Sequence, residues 1–322
     1  MEQKLKTKVI GVDVSKSTLD CYFLHNDQFK QYNNTKKGIE SLIRYCRSES
    51  IELIVCESTA HYHKQLEILM LEDKLPLAVA NPRHTRRYAQ ALGYLAKTDK
   101  LDAKVLALFG QATNPPIREL SRIEVRNLRV YVNRRNQLIN VKTSETLRKS
   151  SITEDFVIDE ISEHIEQIEK QIKIYDKKIM DLINSDEEFT KIFKIIISVP
   201  GASVVTASTL IAYLPELGKR KRNQIAALVG VAPYNNDSGT KSGKRTCFGG
   251  RKEVRNILYL GMLSAVRCND YIKPIYQRLR QNGKPSKVAM NACARKMIIM
   301  INTLVKKETL WMNAEERAEN LV

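Results

Sequence analysis

The chain has 322 residues, 43% hydrophobic and 28% charged. That is ordinary globular composition, which excludes a disordered polymer and favours two domains with a connector. Lysine and arginine number 53 against 36 acids, a net charge of +17, so a polyanion is the expected partner and nucleic acid the leading one. The six cysteines form no C-x-x-C pair, which argues against a zinc knuckle and for reduced core thiols in a cytosolic protein. No secretion signal is read at the N-terminus, and no apolar run approaches the length of a membrane span.

Residues 9–14 are a short β-branched run and predict a buried strand. Residues 19–24 and 28–32 predict two more, turning at His25-Asn26-Asp27. Ile39, Leu42, Ile43 and Cys46 have helical spacing within 36–47. A second apolar strand, 51–56, ends at Glu57. A helix over 62–71, a strand over 77–80 and a helix opened by Pro82 at its favoured first position follow. Residues 1–115 therefore predict an α/β domain with a mixed sheet.

Residues 118–183 hold no glycine or proline. From Ile158 to Leu182 (158, 161, 165, 168, 172, 175, 179, 182) apolar residues alternate steps of 3 and 4, a coiled-coil seam. Residues 116–190 are thus expected to be a helical, coiled-coil linker, either a hairpin within the chain or a dimer arm. Nine bases face three acids in 118–150, which makes Arg126, Arg129, Arg134 and Arg135 candidates for nucleic-acid contact. Residues 191–322 predict a mainly α C-terminal domain, with 23 bases and 8 acids carrying +15 of the net charge.

Four carboxylates stand out by position. Asp13 interrupts the apolar first strand, where charge is costly unless compensated. Glu57 ends a strand, and Asp99 and Asp102 share one face at the start of a helix. Hard oxygen ligands of this kind suit Mg2+ or Mn2+, and two such ions can clamp both oxygens of a phosphodiester reaction. His61 and His63 read as residues that shape the site or touch phosphate.

A second constellation runs from Ala232 to Arg245, where hydroxyls stand beside glycines and cations. Such a hydroxyl could attack phosphorus, although the loop also reads as a phosphate-binding turn, and it lacks the Walker pattern. Lys241, Lys244, Arg245, Arg251 and Arg255 are candidate phosphate ligands. Val199-Pro200-Gly201-Ala202-Ser203 reads as a helix-hairpin-helix turn or as a plain tight turn.

Ile10-Gly11-Val12-Asp13-Val14, Cys56-Glu57-Ser58-Thr59 and Lys97-Thr98-Asp99-Lys100-Leu101-Asp102 resemble the DEDD motifs of the insertion sequence 110 transposases. Ser198-Val199-Pro200-Gly201, Leu228-Val229-Gly230-Val231-Ala232-Pro233, Asp237-Ser238-Gly239 and Gly249-Gly250-Arg251 resemble the same family's C-terminal domain. The resemblance implies an RNase H-like, RuvC-like nuclease domain over 1–115, a coiled-coil linker over 116–190, and a transposase domain with a catalytic serine over 191–322. It implies that Asp13, Glu57, Asp99 and Asp102 hold Mg2+ and that Ser238 forms a covalent phosphoserine link, with Ser242 also preceding a glycine. Asp237 would orient the hydroxyl or the metal. Double-stranded donor and target DNA, a structured bridge RNA as guide, half-sites on different protomers, and a homodimer assembling into a tetramer at the bacterial nucleoid are implied as well. DNA invertases that switch pilin genes are similar to this family. Two other readings are a nuclease in which water attacks and a non-catalytic nucleic-acid-binding protein.

Overall fold

A computed structural model describes residues 7–58, 61–239, 243 and 245–313. The chain divides into two compact units, 1–121 and 122–322.

The first unit runs β1 (Val9–Val14), β2 (Thr18–Phe23), β3 (Gln28–Asn33), α1 (Lys36–Ser48), β4 (Leu53–Glu57), α2 (His63–Glu72), β5 (Leu77–Ala80), α3 (Pro82–Ala91) and α4 (Asp99–Thr113). Its sheet has the order β3-β2-β1-β4-β5. The first three strands pair antiparallel, while β4 pairs parallel with β1 and β5 parallel with β4. The expected α/β architecture with a mixed sheet is present.

Strand alternation splits the core into two faces. Ile10, Val12 and Val14 pack with Leu42 and Met70 on one side. Val9, Leu53 and Val55 pack with Ala103, Leu106 and Ala107 of α4 on the other. The approach of α4 depends on two glycines. A Cβ on Gly11 would stand 2.0 Å from the Ala103 carbonyl oxygen, and one on Gly110 would stand 2.5 Å from a Val55 methyl. Ala103 lies over Gly11, and Gly110 over Val9 and Leu53. The helix therefore runs antiparallel to β1, and its first turn overlies the carboxyl ends of β1 and β4. Pro82 opens α3 as expected, with the Asn81 side chain accepting from the Arg83 N–H at 2.9 Å.

The second unit runs α5 (Ile123–Lys149), α6 (Asp155–Asn184), α7 (Glu187–Ile197), α8 (Val204–Tyr213), α9 (Arg222–Val229), β6 (Pro233–Tyr234), β7 (Thr246–Cys247), α10 (Lys252–Cys268), α11 (Ile272–Gln281) and α12 (Ser286–Lys307). Helices α5 and α6 form an antiparallel hairpin, tied by Arg135 with Asp176 and by Lys142 with Glu169 at 2.6 Å. The seam of α6 packs within the chain. Ile168 and Ile172 meet Leu138, and Ile179 and Ile183 join Leu128 and Val132 in the unit's main core. Ile158, Ile161 and Ile165 are only half-buried. Helices expected as a connector thus share a core with α7–α12.

Helix α12 is long and apolar enough to cross a membrane by length and composition. Its Ala, Met and Ile residues are interspersed with polar ones. Ala289, Cys293, Met297, Ile298 and Ile301 are buried in the protein core, which accounts for its apolar character.

Candidate active site

The α4 face of the sheet carries the acids. Asp13 continues the Val9, Gly11 row of β1, and Glu57 continues the Leu53, Val55 row of β4, so both side chains share the face that α4 covers. Asp99 and Asp102 stand in the first turn of α4, where the helix dipole favours negative charge. Thr98 caps that turn, its hydroxyl accepting from the Leu101 N–H at 3.2 Å.

The four carboxylates sense one another. The Asp13 carboxyl is pushed up to about 6, first by burial and then by repulsion from Asp102, Glu57, Asp99 and Asp20. Asp102 is also raised, by burial, against the lowering influence of Lys97 and Arg86. Three elements far apart in sequence thus bring the predicted acids into one electrostatic group. Among the described residues, no three Asp, Glu, His or Cys side chains are gathered closely enough to hold one ion. The donor set nevertheless fits a hard divalent cation: all are carboxylates, and their mutual repulsion is what such a charge relieves.

Residues that motif reading missed complete this end of the sheet. Asp20 lies directly across from Asp13 on β2 and is buried, accepting from the Gln31 amide at 2.8 Å and the Thr18 hydroxyl at 3.1 Å. Thr85 of α3 is buried and donates its hydroxyl to Glu57. Asn34 donates to Ser15 O at 2.8 Å and Tyr62 O at 3.2 Å, tying the segment after β1 to that after β4. Hairpin register foretells the Asp13–Asp20 pairing; no local signal marks Thr85. His63 is buried at the start of α2, whereas His61 is exposed with its ring 4.4 Å from that of Tyr62.

Ser238 belongs to the second unit. Strands β6 and β7 make a small antiparallel hairpin where the sequence predicts a nucleophile-bearing or phosphate-binding loop. Ser238 is exposed in the connection between them. Asp237, next to the serine, accepts from the Gly243 N–H at 3.0 Å. Thr59, Lys241, Ser242 and Lys244 lie outside the described residues; Arg245 is exposed.

The candidate phosphate ligands divide. Arg251 turns inward, donating to Tyr213 O at 2.7 Å and to both oxygens of Glu216 at 2.6 Å. Arg255 donates to Gly249 O. On α5, Arg129 donates to Ala212 O at 3.0 and 3.1 Å and Arg135 pairs with Asp176, whereas Arg134 is exposed and Arg126 half-buried.

An α/β unit with a carboxylate cluster, joined in one chain to a basic helical unit with an exposed serine loop, defines a nucleic-acid-processing class of protein. Comparison with known proteins names the family. The DEDD-type IS110 transposase profile matches residues 10–156, which include all four acids, and that of the transposase IS116/IS110/IS902 family matches 193–277, which include Ser238. The chain belongs to the IS110 family of transposases and is a DNA transposase or recombinase. It is 24% identical to the pilin gene-inverting proteins of Moraxella bovis and Moraxella lacunata over 92% of its length and 95% of theirs. It is also 22% identical to an insertion element IS110 protein of Streptomyces coelicolor, over 49% of this chain and 39% of that one.

Proposed function

We propose that the protein is a site-specific recombinase that cuts and rejoins donor and target DNA through a covalent link to Ser238. The observation that carries this reading is the convergence of Asp13, Glu57 and the Asp99/Asp102 turn at one end of a sheet, in a chain that also carries an exposed Asp-Ser-Gly loop. The strand order and mixed pairing of the first unit support an RNase H-like, RuvC-like nuclease fold. The first unit acts as the nuclease domain, and the helical hairpin of α5 and α6 serves as part of the second unit together with the transposase domain.

Asp13, Glu57, Asp99 and Asp102 would hold Mg2+ or Mn2+, which when bound supplies positive charge to the scissile phosphate. Thr85 keeps Glu57 oriented, and Asp20 backs Asp13 from the neighbouring strand. The Ser238 oxygen forms a phosphoserine ester as one backbone P–O bond breaks, and the released deoxyribose oxygen takes up a proton. Attack on that ester by a hydroxyl of the other DNA rejoins the strands and returns the proton to Ser238. Lys241, Lys244 and Arg245 bind phosphates beside the break. A structured guide RNA and an assembly of dimers into tetramers complete the reading; the pilin gene-inverting relatives favour inversion as one outcome of the same chemistry.

The test is a labelled DNA reaction with Mg2+ and the element's flanking RNA, resolved on a denaturing protein gel. The expected result is an Mg2+-dependent adduct that disappears in Asp13→Ala and in Ser238→Ala. Cut strands with no adduct would instead identify a water-using nuclease, and an adduct surviving in Ser238→Ala would move the nucleophile elsewhere. Recombination that proceeds without the RNA would remove the guide from the reading.

A further inference from the structure

The Ser238 loop is a short hairpin with little core of its own, yet both its feet are clamped. Gly230 ends α9 in the left-handed conformation, three residues before β6 begins. Gly249 and Gly250 follow β7 and lead into α10. The two feet cross so closely that a Cβ on Gly250 would stand 2.2 Å from the Gly230 nitrogen, and one on Gly230 would stand 2.2 Å from the Gly249 carbonyl oxygen. Arg251 then locks the crossing. Its N–H donates to Leu228 O at 2.9 Å, and its guanidinium makes the forked bond to Glu216 and the bond to Tyr213 O described above.

We propose that Arg251 and Glu216 are positioning residues that hold the Ser238 hairpin in register, and that Arg251 is not a phosphate ligand. The inference rests on the reading of Ser238 as nucleophile. Its ground is geometric: three of the five guanidinium N–H directions are spent on fixed acceptors of this chain, and a bidentate arginine–carboxylate pair specifies orientation as well as energy. The Arg251 side chain is 29% exposed and that of Glu216 24%, so the pair is shielded from solvent on most sides. Burial pushes the Glu216 carboxyl up, but the hydrogen bond and charge of Arg251, a backbone hydrogen bond and the charge of Arg220 together hold the group below its ordinary value. A displacement of about 1 Å at a reacting group costs roughly a hundredfold in rate. A clamp at the feet of the hairpin is therefore where such precision would be set.

Glu216→Gln separates the two roles, because it loosens the clamp while leaving Arg251 free to meet DNA. Duplex affinity and its salt dependence are measured by fluorescence anisotropy with labelled DNA, and adduct formation by the denaturing gel. Positioning predicts that Glu216→Gln and Arg251→Lys each slow adduct formation by about tenfold or more, at unchanged DNA affinity and salt slope, and that the double variant is no slower than either single one. Amide hydrogen exchange should rise in residues 231–249 of both variants and stay unchanged in α5 and α6. A phosphate-ligand role predicts the reverse: Arg251→Lys weakens binding, Arg251→Ala flattens the salt slope by about one, and Glu216→Gln leaves the adduct intact. That pattern, or unchanged exchange in the hairpin, overturns the proposal. Persistence of the adduct in Ser238→Ala would overturn the serine reading alone, and the exchange experiment would still decide whether the clamp holds the hairpin.

Discussion

A carboxylate inside an apolar strand is costly to ionise, and Asp13 bears that cost together with the repulsion of four neighbouring acids. Its folded value of about 6 stands above the ordinary 3.8, so the native state binds this proton more tightly than the unfolded chain does. The contribution to stability is full below about 3.8 and is lost as pH rises through about 6. Asp13→Asn removes the penalty. In thermal unfolding without divalent ions it should melt above the wild type at pH 7.5, and the gap should close below about pH 4. Mg2+ should raise the wild-type melting temperature and have less effect on the variant; a gap that ignores both pH and Mg2+ would place its cause outside the acid cluster. Thr85 offers a second test at this scale. Thr85→Val keeps the shape but removes the donor to Glu57, and strand cleavage should drop by roughly tenfold, read from initial rates on labelled DNA. Asp13, Glu57, Asp99 and Asp102 were legible because each breaks a local pattern. Asp20 follows from the register of the β1–β2 hairpin once the turn is placed, whereas Thr85 was not legible, because its importance comes from a helix packing that no short window contains.

Among the elements, α4 and α6 illustrate opposite degrees of legibility. The start of α4 could be placed from Thr98 and its acidic first turn, but its path over β1 depends on Gly11 and Gly110 meeting opposing backbone and side chain. Gly11→Ala would drive a methyl group into the Ala103 carbonyl, so a loss of about 1–3 kcal/mol is expected, measured by denaturant unfolding. Cleavage should fall with it, since the turn bearing Asp99 and Asp102 would shift. Retained stability and activity would show that α4 can give way without cost. The seam of α6 was legible as a period, yet a period does not say which helix it meets. Ile179 is buried against α5 and the main core, and Ile179→Ala should cost about 2–5 kcal/mol in the isolated chain at any protein concentration. A loss that appears only at concentrations where the protein self-associates would instead assign the seam to an interface between copies.

At the scale of the whole molecule, charge and core are distributed separately. Residues 191–322 hold +15 of the net charge, while the core of the second unit draws on α5 and α6 as well as on the C-terminal helices. A fragment starting at residue 122 should therefore unfold cooperatively and bind duplex DNA with steep salt dependence, whereas one starting at 191 should melt earlier for want of Leu128, Val132, Ile179 and Ile183. Equal stability of the two fragments would show that the helical hairpin adds nothing to that core. By itself the sequence determined the family, the net positive charge, the alternation of strands and helices, and which four acids are candidates, because motif order, net charge and hydrophobic period are properties of residues along the chain. The tertiary structure alone decided which of the arginines are engaged within the protein, which helix the α6 seam packs on, and which residues stand behind the acids and beneath the Ser238 hairpin. Those outcomes depend on contacts between segments far apart in sequence, and a side chain's partner is settled only when the backbones that carry both are in place.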